Sequence, residues 1–163
     1  MMVHKYKSLD EIVQIRGCLR AEGRKLVFTN GCFDILHVGH VRYLNQARAM
    51  GDALVVGLNS DSSVRLIKGE GRPIIPELER AEVIAALANV DFVFLFDDPT
   101  PRRVIEAIVP DILVKGADWR PAEIVGREVV EAAGGRVCNL PLVGEMSTSG
   151  IIETVLERFG RRA

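Results

Sequence analysis

Two of the chain's three histidines, His37 and His40, stand three residues apart around Gly39. They lie in the run Thr29-Asn30-Gly31-Cys32-Phe33-Asp34-Ile35-Leu36-His37-Val38-Gly39-His40. The run follows a β-branched segment and leads into an amphipathic one, so the pair is expected where a strand gives way to a helix. A helix start carries unpaired N–H groups and partial positive charge, which suits an anion. Gly39 has no side chain to block the close approach of a phosphate. Two imidazoles at this spacing reach one cluster of oxygens from one side and would stabilise charge building up on a phosphorus centre. A His-x-x-His metal site and purely structural histidines are the competing readings.

A second block, Gly144-Glu145-Met146-Ser147-Thr148-Ser149-Gly150, enters the last apolar-periodic stretch. Taken alone it reads as a helix N-cap. Hydroxyls and free N–H groups at a helix start also cradle terminal phosphates. If both helix starts lie at one edge of a sheet, they would hold a nucleoside triphosphate along its phosphate chain.

The elements that must position these groups alternate along the chain. Strands are expected at 25–29, 53–58, 91–96, 111–114 and 136–140. Helices are expected at 8–21, 39–50, 77–88, 102–108, 123–133 and 149–159, with 59–76 a long polar connection. The first helix is expected to set Leu9, Ile12, Val13 and one of Ile15 or Leu19 on one side. The last is expected to bury Ile151, Ile152, Val155, Leu156 and Phe159. Short apolar strands alternating with helices imply a Rossmann-like, doubly wound α/β fold, a parallel five-stranded sheet with helices on both faces. Ligands on such a sheet sit at the carboxyl ends of the strands, near the point where the strand order reverses. The dinucleotide fingerprint Gly-x-Gly-x-x-Gly is absent after the first strand, which disfavours a nicotinamide dehydrogenase.

Composition narrows the classes further. The 163 residues fit one domain, with 1–24 as a helical extension and 25–159 as the core, and 48% hydrophobic with 26% charged residues is ordinary for a globular protein. With 21 Lys plus Arg against 22 Asp plus Glu, the formal charge is −1, which argues against nucleic acid or a membrane surface as partner. The longest apolar run, 83–88, is far too short to span a bilayer, and the first residues lack a hydrophobic signal core, so a cytoplasmic chain is expected. Three widely spaced cysteines, Cys18, Cys32 and Cys138, form neither a zinc framework nor a disulfide scaffold.

The run GCFDILHVGH strongly resembles the His-x-Gly-His motif of the nucleotidyltransferase superfamily of cytidylyl- and adenylyltransferases. The segments NSDSSV, KGEGRPI, ELERAEVIAAL, VKGADW and GEMSTSGII follow in the expected order, so the resemblance covers about 25–159. Within the superfamily the chain looks most like the branch that transfers AMP from ATP to D-glycero-β-D-manno-heptose 1-phosphate. The resemblance puts His37 and His40 on the triphosphate, together with Lys68 and Arg80 at positions the superfamily uses on phosphates. It places Thr29, Asn30, Gly31, Cys32, Phe33 and Gly39 around the nucleotide, Lys115, Gly116 and Asp118 in a base-side loop, and Ser147, Thr148 and Ser149 on the β- and γ-phosphates. Asp34, Asn59, Ser60, Asp61 and Trp119 fall on the acceptor side. Plain alternatives stand beside these readings: a solvated lysine at 68, a surface arginine at 80, a turn at 59–61 and a packed anchor at 119.

One departure bears on the base. Glycerol-phosphate cytidylyltransferases carry an Arg-Thr pair shortly before the Ser-Thr-Ser block, where this chain has Leu142-Val143. That favours ATP over CTP. The remaining alternatives are a cytidylyltransferase acting on glycerol 3-phosphate or phosphoethanolamine, an FMN adenylyltransferase, and a nucleotide-binding sensor without turnover. The resemblance further implies magnesium carried mainly by the ATP phosphates, with protein metal ligands unassigned. It also implies a homodimer, and a separate heptose kinase and phosphatase to supply the acceptor.

Overall fold

Every second residue of the inner strands enters one of two separate cores, and this divides the molecule into layers. In the computed structural model, which describes residues 4–116, 123–141 and 147–160, the first strand β1 (Leu26–Gly31) alternates in this way. Val27 joins Leu54, Val56 and Leu58 of β2 (Ala53–Asn59) on one side, and Leu26 and Phe28 join Val55 on the other. The first face is covered by α2 (Val38–Arg48) and α4 (Glu77–Ala85), through Tyr43, Leu44, Ala81 and Ile84. The second is covered by α1 (Leu9–Ala21), α5 (Arg102–Ile108) and α6 (Arg127–Ala132), through Ile12, Leu19, Ile105, Ile108 and Val130. Each such large apolar side chain contributes roughly 1.5–3 kcal/mol when removed from water.

The sheet is parallel, in the order β3-β2-β1-β4-β5, with β3 at Phe92–Phe96, β4 at Ile112–Gly116 and β5 at Arg136–Leu140. The order reverses between β1 and β4, which makes that junction the ligand-binding crevice of the doubly wound fold. Here the two strands separate. β1 pairs with β2 from Leu26 through Gly31, yet with β4 only at Val27–Ile112 and Phe28–Leu113. The gap beyond is spanned by side chains. Tyr43 Oη donates to the Val114 carbonyl at 3.2 Å and shares a hydrogen bond with Thr29 Oγ1 at 2.7 Å.

Four expectations from the sequence are corrected. The polar stretch after β2 contains a helix, α3 (Asp61–Lys68), capped by Ser60, whose Oγ accepts from the Ser63 N–H. Helix α1 buries Ile12, Arg16 and Leu19, while Val13 faces solvent. Arg16 is drawn inward because its guanidinium donates to Val109 O at 3.0 Å and to Asp111 at 2.8 Å. Helix α6 is shorter than 123–133, because Gly126 at its start has a positive φ of 82° and a Cβ there would meet Ile105 at 2.7 Å. The last helix, α7 (Thr148–Phe159), buries no residue, and Leu156 and Phe159 are 63% and 80% exposed. Its apolar stripe exists as the periodicity requires, but none of its residues is buried among the described residues.

Candidate active site

The loop between β1 and α2 is shaped by a close contact and a left-handed residue. Phe33 has φ 44°, and its ring lies where a Cβ on residue 31 would sit at 3.0 Å, so Gly31 is needed for that packing. The ring then leans on His40, with centroids 5.1 Å apart. His37 is the N-cap of α2, its Nδ1 accepting the Gly39 N–H at 3.2 Å. With Nδ1 accepting, the neutral ring carries its proton on Nε2. The His37 and His40 rings lie 3.9 Å apart, and His40 Nδ1 is buried without a hydrogen-bond partner. A buried orphan of this kind, beside a helix start at the crevice, is the mark of a site shaped for something else to complete.

Burial lowers the pKa of His37, and burial with the neighbouring His37 lowers that of His40 to about 4. At neutral pH both rings are uncharged hydrogen-bonding groups. The linkage has a definite sign. The unfolded chain takes up a proton at position 40 near the ordinary 6.5, and the folded one only near 4. Stability at this position is therefore lost as pH falls from about 6.5 to 4. Denaturant titrations across that window should show a fall in midpoint that His40→Asn flattens; an equal slope in the variant would contradict it.

Other expected site residues are brought to the same crevice but are engaged there by protein groups. Lys115, at the end of β4, donates through Nζ to Asn30 Oδ1 at the end of β1, tying the separated strands together. Asp34 has a fully buried side chain that accepts from the Ile74 and Ile75 N–H groups at 2.9 Å and from Arg72 Nε at 2.6 Å. Burial alone would raise its pKa, but those donors outweigh it and hold the carboxyl below its ordinary range.

Arg80 is 1% exposed, and each of its guanidinium nitrogens has a protein acceptor. Nε donates to Ile75 O, Nη1 to Cys32 O and Nη2 to Asp61 Oδ1, at 2.9, 2.6 and 2.7 Å. The arginine thereby fastens the histidine loop to the start of α3 and to the segment before α4. Asn59 and Ser60 serve the α3 cap, with Asn59 Nδ2 donating to Ser63 Oγ at 2.9 Å. Cys32 is a half-buried thiol whose pKa burial raises, against the pull of Lys68, Arg80 and Arg72. It is therefore protonated at neutral pH and unsuited to nucleophilic attack.

Ser147 caps α7, its Oγ accepting the Gly150 N–H at 3.0 Å, and Thr148 Oγ1 donates to Ile35 O at 3.4 Å. The hydroxyl-bearing helix start is thus joined to the histidine loop, with Ser149 in the same first turn. Lys68 is exposed at the end of α3, and Gly116 closes β4. Asp118, Trp119, Leu142 and Val143 lie outside the described residues. Among the described residues no group of three or more His, Cys, Asp or Glu side chains could hold a metal ion. No helix among them is long and apolar enough to cross a membrane.

Sequence reasoning missed Arg72 and Tyr43. Arg72 was visible only as the arginine of KGEGRPI; Tyr43 follows His40 by three residues and so shares its side of α2.

A parallel doubly wound sheet, with a neutral histidine pair at the helix start beside its switch point, defines a Rossmann-like α/β protein with a candidate site at that junction. The chain belongs to the cytidylyltransferase-like family, which matches residues 28–137. The bifunctional protein HldE of Citrifermentans bemidjiense is 56% identical over 155 residues, covering 95% of this chain and 32% of that protein. HldE of Geobacter metallireducens is 53% identical over 156 residues, covering 96% and 32%. The chain thus spans about a third of the length of these relatives. Among solved structures, the lipopolysaccharide core biosynthesis protein of Thermoplasma volcanium is 31% identical, with a TM-score of 0.62 over 76% of this chain and 100% of that one. Pantothenate synthetase of Thermus thermophilus, at 16% identity and a TM-score of 0.61, shares the fold.

Proposed function

We propose that the chain transfers AMP from ATP to D-glycero-β-D-manno-heptose 1-phosphate, giving ADP-heptose and pyrophosphate. The observation that carries the reading is the uncharged His37–His40 pair, its rings in close tilted contact at the start of α2, beside the opening between β1 and β4. The heptose follows from the high identity to HldE proteins and the likeness to a lipopolysaccharide core biosynthesis protein.

In this reading a phosphate oxygen of the acceptor attacks the α-phosphorus, and the bond to the pyrophosphate oxygen breaks. The second pKa of a phosphate monoester is ~6, so the nucleophile is already ionised at neutral pH and needs no base. The protein's task is alignment and charge neutralisation. His37 and His40 donate hydrogen bonds to the phosphate oxygens, and the Ser147–Ser149 helix start takes the terminal phosphates. Lys68 supplies positive charge from the end of α3. Arg80, Asp34, Asn59, Ser60 and Asp61 act one layer out, holding the loops that carry these groups.

The acidic side chains by the loop fit magnesium brought in on ATP rather than a carboxylate cage, since Asp34 and Asp61 are each paired with an arginine. The ion would neutralise phosphate charge during transfer. A cytoplasmic homodimer, fed by a kinase and a phosphatase acting on the heptose, completes the proposal.

The test is pyrophosphate release with magnesium, crossing ATP and CTP against heptose 1-phosphate, glycerol 3-phosphate, phosphoethanolamine and FMN. Turnover confined to ATP with heptose 1-phosphate is expected. Turnover with CTP and an alcohol phosphate would overturn the substrate, and ATP binding without release for any pair would overturn the enzyme.

A further inference from the structure

Three cations surround the Cys32 end of the histidine loop: Lys68, Arg72 and Arg80. Arg80 has no nitrogen to spare. Arg72, on the segment between α3 and α4, is different. Its Nε donates to the fully buried carboxylate of Asp34 at 2.6 Å, and its side chain is 17% exposed. Its Nη1 and Nη2 make no hydrogen bond among the described residues, and neither is a buried orphan. One edge of the guanidinium is therefore anchored, while the N–H groups of Nη1 and Nη2 are left without a protein acceptor among the described residues.

The anchor is itself immobile. Asp34 also accepts the N–H groups of Ile74 and Ile75, so the carboxylate that holds Arg72 is fastened to the same segment that carries it. A guanidinium restrained through Nε has already lost much of its rotational freedom, and its fork matches two oxygens of a phosphoryl group. A surface arginine would lose that freedom on binding; this one would lose little.

The geometry points to Arg72 as a phosphoryl-binding residue of this site, aimed by Asp34. This inference rests on the nucleotidyltransferase reading and adds to it a residue and a division of labour. Asp34 is a positioning residue, and Arg72 touches the substrate. The α7 start and the histidines face the triphosphate, so the phosphate of the acceptor is the group expected in the Arg72 fork.

The experiment compares wild type, Arg72→Gln and Arg72→Lys in three measurements. These are pyrophosphate release with heptose 1-phosphate varied at saturating magnesium-ATP, ATP affinity by calorimetry, and the melting temperature. Arg72→Gln should raise the KM for heptose 1-phosphate tenfold or more, with ATP affinity within twofold and melting little changed. Arg72→Lys, which keeps the charge but loses the fork, should recover part of the KM. A tenfold loss of ATP affinity with an unchanged acceptor KM would also support the phosphoryl fork and assign it to the triphosphate. Both quantities within twofold of wild type would overturn the inference, as would losses in both that follow a collapse in melting temperature, the signature of a mere latch. A wild type that binds ATP but turns over nothing would sink the parent reading first, and that outcome is seen before any variant is compared.

Discussion

His40→Ala should lower kcat by about 10²–10³-fold while leaving ATP affinity within a few fold. A preorganised donor that acts on charge developing in the transition state has that order of effect when removed. The ring contributes little to folding by comparison. Its Nδ1 is an unpaired buried atom, so deletion removes an unsatisfied group together with a contact to Phe33. Single-turnover pyrophosphate release and a melting curve separate the two effects. A variant that melts as wild type and turns over as wild type would leave the histidine pair without a catalytic role, and a nucleotide sensor would then be the better description. His37→Ala makes a less clean comparison, because it also removes the α2 cap, typically worth ~1 kcal/mol.

The second large effect is on stability. Arg80→Met should cost about 3 kcal/mol, the low end of the range for breaking a buried pair, since Arg80 is buried but Asp61 is partly exposed. The guanidinium is buried, and its loss leaves Cys32 O and Ile75 O without their donor and Asp61 without its cation. A lysine offers one nitrogen where three are needed, so Arg80→Lys should recover only part of the loss. Urea unfolding of both variants, with Asp61→Asn alone and combined with Arg80→Met, gives the coupling between the pair. A cost below 1 kcal/mol for Arg80→Met would mean that these hydrogen bonds do not fasten the loop to α3.

How much of this was legible beforehand depends on what kind of signal each element carries. The strands were plain, because KLVFT, ALVVGL and DFVFLF are apolar on both faces and only a covered parallel sheet accommodates that. The histidine loop was plain because its residue types are scarce and its spacing specific. Helix α3 was not, since NSDSSVRLIK offers a cap and one buried valine, Val64, rather than an apolar stripe. Arg80 was read as a phosphate contact from the resemblance, which says nothing of what else the guanidinium touches. Its partners come from 5, 19 and 48 residues away in the chain, and no local pattern encodes such a convergence. Periodicity misled at α7 in the opposite sense. Ile152, Val155, Leu156 and Phe159 fall on one face, but a stripe records that a helix has an apolar side, not what lies against it.

The first residues of the chain have a role that their sequence hides. Lys5 O accepts the Val93 N–H at 2.8 Å and the Lys7 N–H donates to Val93 O at 2.9 Å, so Tyr6 lies in parallel register beside β3. The strand it shields reads Phe-Val-Phe-Leu-Phe, the kind of uncharged, aromatic edge on which a second chain can stack strand against strand. The family match begins at residue 28, beyond this segment and beyond α1. The span matched by the family model and the span that covers the β3 edge therefore have different boundaries. A fragment trimmed to the matched span would keep the histidine loop and expose an adhesive edge.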